Sequence, residues 1–325
     1  MGVRKLQEQQ PSPDVPLIPQ TCGSPSFPWS ERSVVISTES GNSTPLSVYA
    51  GEQISLLTQH GKERVIAPVL ERALGCRIEH VTGYDTDLLG TFTREVPREG
   101  TQLEAARRKA RVGMEMSGLP LGIASEGSFG PDPYMGLFPR NIELMIWIDS
   151  ERELEVVGIA EGKTNFFHLL TADWAEAQGF ARESKFPEHH LVVRPDGEHD
   201  QRIHKGISSW PELERAFSKA LARSANGKVF LETDMRANAN PTRMETIRRA
   251  AEDLARKLRS RCPSCGTPGF WKVERVAGLP CKVCGAPTNE TRAEIRGCLT
   301  CGHRDTSDVT DPPHADPRFC DYCNP

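Results

Sequence analysis

Four cysteine pairs of the form C-x-x-C crowd into the last 64 residues of the chain: Cys262/Cys265, Cys281/Cys284, Cys298/Cys301 and Cys320/Cys323. Eight thiolates at this spacing satisfy two tetrahedral four-cysteine zinc sites, which are closed and therefore structural. The segment has too few large apolar side chains to bury a core, so its fold depends on the metal. A disulfide framework would need an oxidising compartment. The opening sequence MGVRKLQEQQPSPD carries charge with no apolar run behind it, so no export signal and a cytoplasmic location are expected. Of the two other cysteines, Cys22 falls in a Pro-rich stretch and Cys76 reads as a small apolar filler.

Strand geometry sets the expected pairing of the cysteines. Phe270–Val276 and Arg292–Arg296 each read as one uninterrupted strand between successive pairs. A seven-residue strand holds its ends ~20 Å apart. The first and second pairs then sit at opposite ends, which favours an interleaved arrangement: first with third, second with fourth. Gly266, Gly285 and Gly302 follow three of the four pairs, where a residue without Cβ lets the backbone turn toward the sulfurs.

Zinc ribbons often contact nucleic acid, and charge decides against it here. Cys262–Pro325 contains seven Lys+Arg and eight Asp+Glu, and two zinc sites of four thiolates each add more negative charge. That is not the footprint of a phosphate-backbone binder. Stabilisation or contact with a protein partner is expected of the module instead.

The remainder divides into two parts. Residues 1–46 hold six prolines between Pro11 and Pro28 amid Gly, Ser and Thr, and read as a disordered tail. From residue 47 to 260 strands and helices alternate, which predicts an α/β domain with a mixed central sheet flanked by helices, ahead of the zinc module at 261–325. Expected strands are Ile54–Leu57, Cys76–Val81, Leu119–Ala124, the hairpin Ile142–Ile148 with Leu154–Ile159, Leu191–Arg194 and Lys228–Glu232. Expected helices are Lys62–Leu74, Thr101–Ser117, Trp174–Ala181, Trp210–Ala225 and Pro241–Leu258. Thr101-x-x-Glu104 is a capping box, and Asn240 with Pro241 forms a helix start. Tyr84–Gly100 is a long polar loop. His189, His190, His199 and His204 lack metal spacing and read as surface residues. No apolar run approaches the ~20 residues that span a membrane.

Three segments of the α/β half carry chemistry. Thr58-Gln59-His60-Gly61-Lys62-Glu63 is a strand-to-helix turn whose glycine lets backbone approach a phosphate and whose lysine supplies charge. Arg98-Glu99-Gly100-Thr101-Gln102-Leu103-Glu104 opens the helix that continues through Ala110. Ala124-Ser125-Glu126-Gly127-Ser128 puts a carboxylate past a strand, where open α/β sheets bind ligands. Asp234, Arg236, Asn238 and Arg243 gather at a helix N-terminus, a natural anion site.

Two resemblances follow from these residues. Ser47–Pro325 resembles a bacterial family known only as a domain of unknown function. The resemblance rests on His60-Gly61-Lys62-Glu63, Ala124-Ser125-Glu126-Gly127-Ser128-Phe129-Gly130-Pro131, Asp234-Met235-Arg236-Ala237, Asn240-Pro241-Thr242-Arg243-Met244 and Cys320-Asp321-Tyr322-Cys323-Asn324-Pro325. Residues 54–250 distantly resemble the inosine/xanthosine triphosphate pyrophosphatase superfamily. Its opening Thr-Asn-x-Gly-Lys is Thr58-Gln59-His60-Gly61-Lys62 here. Its Ser-His-Arg at the last helix is Pro241-Thr242-Arg243, with Thr242 in place of the base-selecting His. This second resemblance implies a pyrophosphatase-like fold and Mg²⁺-dependent hydrolysis of a nucleoside triphosphate or related phosphate ester, releasing monophosphate and pyrophosphate. It places Mg²⁺ on Glu104 and Glu126, the water-activating acid among Glu126, Asp85 and Asp87, and phosphate on Lys62 and Arg243; Thr58 of the first turn and Arg236 and Asn238 of the helix N-terminus are further expected substrate-binding residues. The alternative is a non-catalytic nucleotide- or protein-binding module with a zinc tail.

Overall fold

A computed structural model of the chain describes residues 47–89, 99–131, 136 and 138–325. The stretch 1–46, read above as a disordered tail, lies outside the described residues. The elements in chain order begin with β1 (Gln53–Leu57), α1 (Glu63–Leu74), β2 (Arg77–Val81), α2 (Gln102–Ser117), β3 (Leu121–Pro131), β4 (Pro139–Asp149) and β5 (Leu154–Lys163). Next come β6 (His168–Thr171), α3 (Trp174–Glu183), β7 (Leu191–Pro195), β8 (His204–Ile207), α4 (Trp210–Arg223), β9 (Val229–Thr233) and α5 (Pro241–Arg259). The chain closes with β10 (Trp271–Ala277), β11 (Thr291–Gly297) and β12 (Arg304–Asp308).

Strands β2-β1-β3-β4-β5 form a mixed sheet, parallel from β2 through β3 and antiparallel from β3 to β5. The pleat sorts its residues between two faces. Leu121 and Ile123 join Met145 and Trp147 under α1 and α5, together with Ile66, Leu70, Ile247 and Leu254. Ala124, Leu144, Ile146 and Ile148 pack on the other face with Ala106 and Ala110 of α2. Helix α1 runs through Pro68, which has no N–H to give the carbonyl one turn back. The Thr101 capping box is formed as expected, with Glu104 accepting from the Thr101 backbone N–H.

The expectation of a single sheet across 47–260 is corrected. Strands β6-β9-β7-β8 make a separate four-stranded antiparallel sheet, packed on α3 and α4 through Ala177, Leu213, Phe217 and Leu231. Its two outer strands, β6 and β8, have four residues each and expose part of their side chains. Such short segments leave no alternation to read. Helix α5 then returns the chain to the first sheet and packs on β4 and β5. No helix among the described residues is long and apolar enough to cross a membrane.

The cysteine-rich module is a three-stranded antiparallel sheet, β10-β11-β12. It grips the end of α5: Ser260 Oγ donates to Phe270 O at 2.6 Å, and Gly269 N–H to Lys257 O at 3.2 Å.

Helix α5 approaches β5 closely at Gly158. A Cβ there would lie 2.5 Å from Ala250 O and 2.7 Å from Leu254 N, both helix backbone atoms that have no rotamer to change. Gly158→Ala should therefore destabilise the protein by ~1–3 kcal/mol, the usual range for overpacking. Urea denaturation checks this, and an unchanged midpoint would show that α5 is not clamped there.

Candidate functional site

The eight C-terminal cysteines form two groups, Cys262/Cys265/Cys298/Cys301 and Cys281/Cys284/Cys320/Cys323. The pairing is interleaved, first with third and second with fourth. Within the first group, Sγ atoms of Cys262 and Cys301 lie 3.7 Å apart and those of Cys265 and Cys298 3.6 Å. In the second, Cys281 to Cys323 is 3.9 Å and Cys284 to Cys320 is 3.5 Å. A tetrahedral zinc with bonds of about 2.3 Å needs sulfur–sulfur edges of about 3.8 Å. Both groups have the size and chemistry to hold such an ion. Each pair closes a tight turn, with the N–H of Gly266, Gly285, Gly302 and Asn324 donating to the carbonyl of the first cysteine in its pair. The three glycines have φ of +75°, +73° and +71°, a region that L side chains avoid. The apolar core of the module is small: Phe270 packs with Cys262 and Cys298.

A second cluster forms at the carboxyl edge of the parallel strands. The turn after β1 delivers Lys62 as the N-terminal cap residue of α1, and no side chain caps this helix. Lys62 is buried. Its Nζ donates to Ser125 O at 2.9 Å and to Ser125 Oγ at 3.0 Å. Ser125 and Gly127 share the face of β3 that carries Ile123, toward α1 and α5. Glu126 lies on the other face, where Lys109 of α2 pairs with its carboxylate. Gln102 of α2 also donates to Glu126 O, at 2.6 Å.

Arg243 enters from the first turn of α5. Its backbone N–H is capped by Asn240 Oδ1 at 3.0 Å. Its Nε donates to Glu143 Oε1 at 2.8 Å, both side chains being almost fully buried, at 1 % and 0 % exposure. Asn141 Nδ2 donates to the same carboxylate oxygen at 3.0 Å, and the guanidinium lies over the Phe129 ring. Gly127 leaves the space for this pair, because a Cβ there would meet Glu143 Oε1 at 2.5 Å and Arg243 Nη2 at 2.7 Å. Beside it, Arg236 grips Asp234 with two nitrogens, at 2.6 and 3.0 Å.

The summed field here is positive. Burial, reinforced by the charges of Arg243 and Lys109 and opposed by Glu126 and Glu143, pushes Lys62 down to about 7. Burial and the charges of Lys62, Arg236, Arg243 and Lys109 push His60 down to about 4, so it is neutral at pH 7. His60 borders a groove of about 330 Å³ between the N-termini of α1 and α5, where Arg64, Asn238, Met244 and Glu245 also line the wall. A larger groove of about 510 Å³, floored by Met114, Ile148 and Leu154, includes none of these charges.

Glu126 and Arg243 act electrostatically on Lys62, Arg236 and Arg243 act on the neighbouring His60, and Asn238 stands exposed on the groove wall. Thr58 is buried at the turn, its carbonyl 2.8 Å from His80 Nε2. Glu104 stands apart. It is exposed and its carboxylate is held by Thr101 of its own capping box, whose backbone hydrogen bond also lowers its pKa. Helix α2 presents Lys109, five residues further on, to the Glu126 carboxylate. Asp85 is exposed before the short turn Thr86–Leu89, and the side chain of Asp87 lies outside the described residues. Gln59 ties this turn down by accepting from Thr86 N at 3.1 Å and Thr86 Oγ1 at 3.0 Å.

Lys109 and Glu143 are cluster members that motif reading missed, and His60 stood in a motif without a role of its own. Lys109 and Glu143 had a faint signal, as charges at core-facing positions of a helix and a strand. The reading of His189 as a surface residue is corrected: it is buried, with Nε2 2.8 Å from Thr242 Oγ1. A histidine therefore does stand at the start of α5, supplied by a different segment.

Two outcomes are expected from these geometries. Metal analysis should return about two zinc per chain, the number eight thiolates imply. A Cys281→Ser/Cys284→Ser variant should lose one ion and keep the other, whereas loss of both would contradict two separate sites. Arg243→Leu, which strands the buried Glu143 carboxylate, should cost ~3–5 kcal/mol. Adding Glu143→Leu should recover most of that loss in denaturant titrations, and equal losses would show that the pair itself is not the cause.

Residues 109–325 of the chain match the model of a family described as a domain of unknown function, DUF6671. No curated protein and no solved structure matches the chain. The matched span covers two thirds of the sequence and takes in Glu126, Glu143, Arg243 and all eight C-terminal cysteines, so the chain belongs to the DUF6671 family.

Proposed function

We propose that the α/β half is a binding module for a phosphorylated small molecule, of the nucleotide or phosphate-ester class. The observation that carries this reading is the groove of about 330 Å³ between two helix N-termini, whose lining residue His60 feels the charges of Lys62, Arg236 and Arg243. Helix N-termini favour anions, and a buried cationic field strengthens them. The apolar side chains Val65, Pro241 and Met244 supply a wall for a sugar or base. The distant likeness to nucleoside triphosphate pyrophosphatases supports the same ligand class.

Hydrolysis is the second reading. What favours it is the electrostatic effect of Glu126 on Lys62, an acid and a near-neutral amine at one strand end. Against it stands the position of Glu104: Mg²⁺ is usually held by one or two carboxylates together with substrate phosphates, and Glu126 is already matched to Lys109. We place the protein in the cytoplasm, where the cysteines among the described residues, none in a disulfide, would stay reduced. The zinc module is read as a stabilising tail that also offers a surface to a protein partner. Leu299 and Tyr322, on its knuckles, are 72 % and 83 % exposed.

Calorimetry with inorganic pyrophosphate and a panel of nucleoside triphosphates tests the reading, alongside an assay for pyrophosphate release with Mg²⁺. The expected result is binding that weakens at least tenfold in Lys62→Met, with no turnover. Turnover would return the hydrolase, and no binding by any of these ligands would remove the α/β site altogether.

A further inference from the structure

Lys62 differs from the other cations of its cluster. Arg243 meets Glu143, Lys109 meets Glu126 and Arg236 meets Asp234. Lys62 meets a backbone carbonyl and a serine hydroxyl, both neutral. It sits buried at the start of α1, where the helix dipole adds to the positive field. The titratable and charged groups around it come from several elements. They are His60 and Glu63 on its own segment, Glu126 on β3, Glu143 on β4, Lys109 on α2, Arg243 at the start of α5 and Arg236 just before it. Both carboxylates that act on it across the cluster are already matched to other cations.

We infer that above pH 7 this site takes up a proton when it binds its anion: there Lys62 is a neutral amine in the free protein and an ammonium in the complex. The inference rests on the anion-site reading above and adds a selection rule to it. With Lys62 neutral, the cations Arg243, Lys109 and Arg236 are each matched by a carboxylate. Protonation adds one positive charge beside an incoming phosphate. The ligand class is thus a fully ionised phosphate group, a dianion, whose charge makes the ammonium form favourable again.

The direction of the pH effect follows from the lowered pKa of about 7 in the free protein. Below pH 7 the amine is already charged, and binding needs no proton. Between pH 7 and the ordinary lysine range, binding must draw a proton from solution, so affinity falls as pH rises, by up to about tenfold per pH unit. In the same window the unfolded chain keeps its lysine protonated while the folded chain does not. Wild-type stability relative to Lys62→Met therefore rises from pH 7 to pH 10.

Sulfate is the probe, since it stays doubly charged across this range and any proton exchanged belongs to the protein. Calorimetry at pH 8.5, in two buffers of different ionisation enthalpy, should show uptake of about one proton per sulfate bound, as linkage for a single site requires. Lys62→Arg, whose guanidinium stays charged, should bind without uptake and with a flat pH profile. Wild-type binding of equal strength at pH 6.5 and 9, with no proton exchange, would overturn the inference while leaving the anion site standing. No sulfate binding even at pH 6.5 would remove both. Should Lys62→Arg not fold, denaturant titrations of wild type and Lys62→Met from pH 6.5 to 10 decide it independently: a constant stability difference would mean that Lys62 is never neutral.

Discussion

The contact on which the α/β half turns is the ion pair between Arg243 and Glu143. Both groups are shut away from water. A lone charge in that position would cost several kcal/mol, so each makes the other tolerable. The pair fixes the first turn of α5 against β4, and α5 carries the largest share of the core on that face of the sheet. It also explains Gly127, whose missing side chain leaves the room the guanidinium needs. The cap from Asn240 and the hydrogen bond from Asn240 to Asn165 extend the same junction toward the second sheet.

Around this pair the molecule gathers more cations than a structural seam requires. Lys109, Lys62 and Arg236 come from three different parts of the chain, and His60 is held neutral among them. Two ion pairs lie on opposite faces of one sheet, Glu126 with Lys109 and Glu143 with Arg243, so each face of the strand end carries a cation matched by a carboxylate. A groove opens beside it at two helix starts. Stability alone accounts for the pairs. It does not account for a buried lysine bonded only to neutral oxygens.

Much of the zinc module was legible in the sequence, because C-x-x-C has one dominant chemistry and a strand has a fixed rise. Those two facts were enough to expect the interleaved arrangement. The helices with clear starts, Thr101 for α2 and Asn240 for α5, were legible through local capping chemistry. The second sheet was not, because β6 and β8 are too short to show a period. Lys109 and Glu143 were missed for a different reason. A charge in a helix or strand reads as solvent-facing until its partner is known, and the partner of Glu143 lies 100 positions away. Glu104 shows the converse: its local role in a capping box was visible in the sequence, and the structure gives it that role.

The interleaving of the cysteine groups has a consequence for assembly. Closing the first group joins Cys265 to Cys298 and confines the intervening chain, which contains Cys281 and Cys284. Ring closure costs entropy that grows with the logarithm of the ring. The second ring, from Cys284 to Cys320, shares residues 284–298 and β11 with the first, so closing one leaves less chain to close in the other. Two ions held in these groups would share part of one loop, so that filling either group would ease the filling of the other.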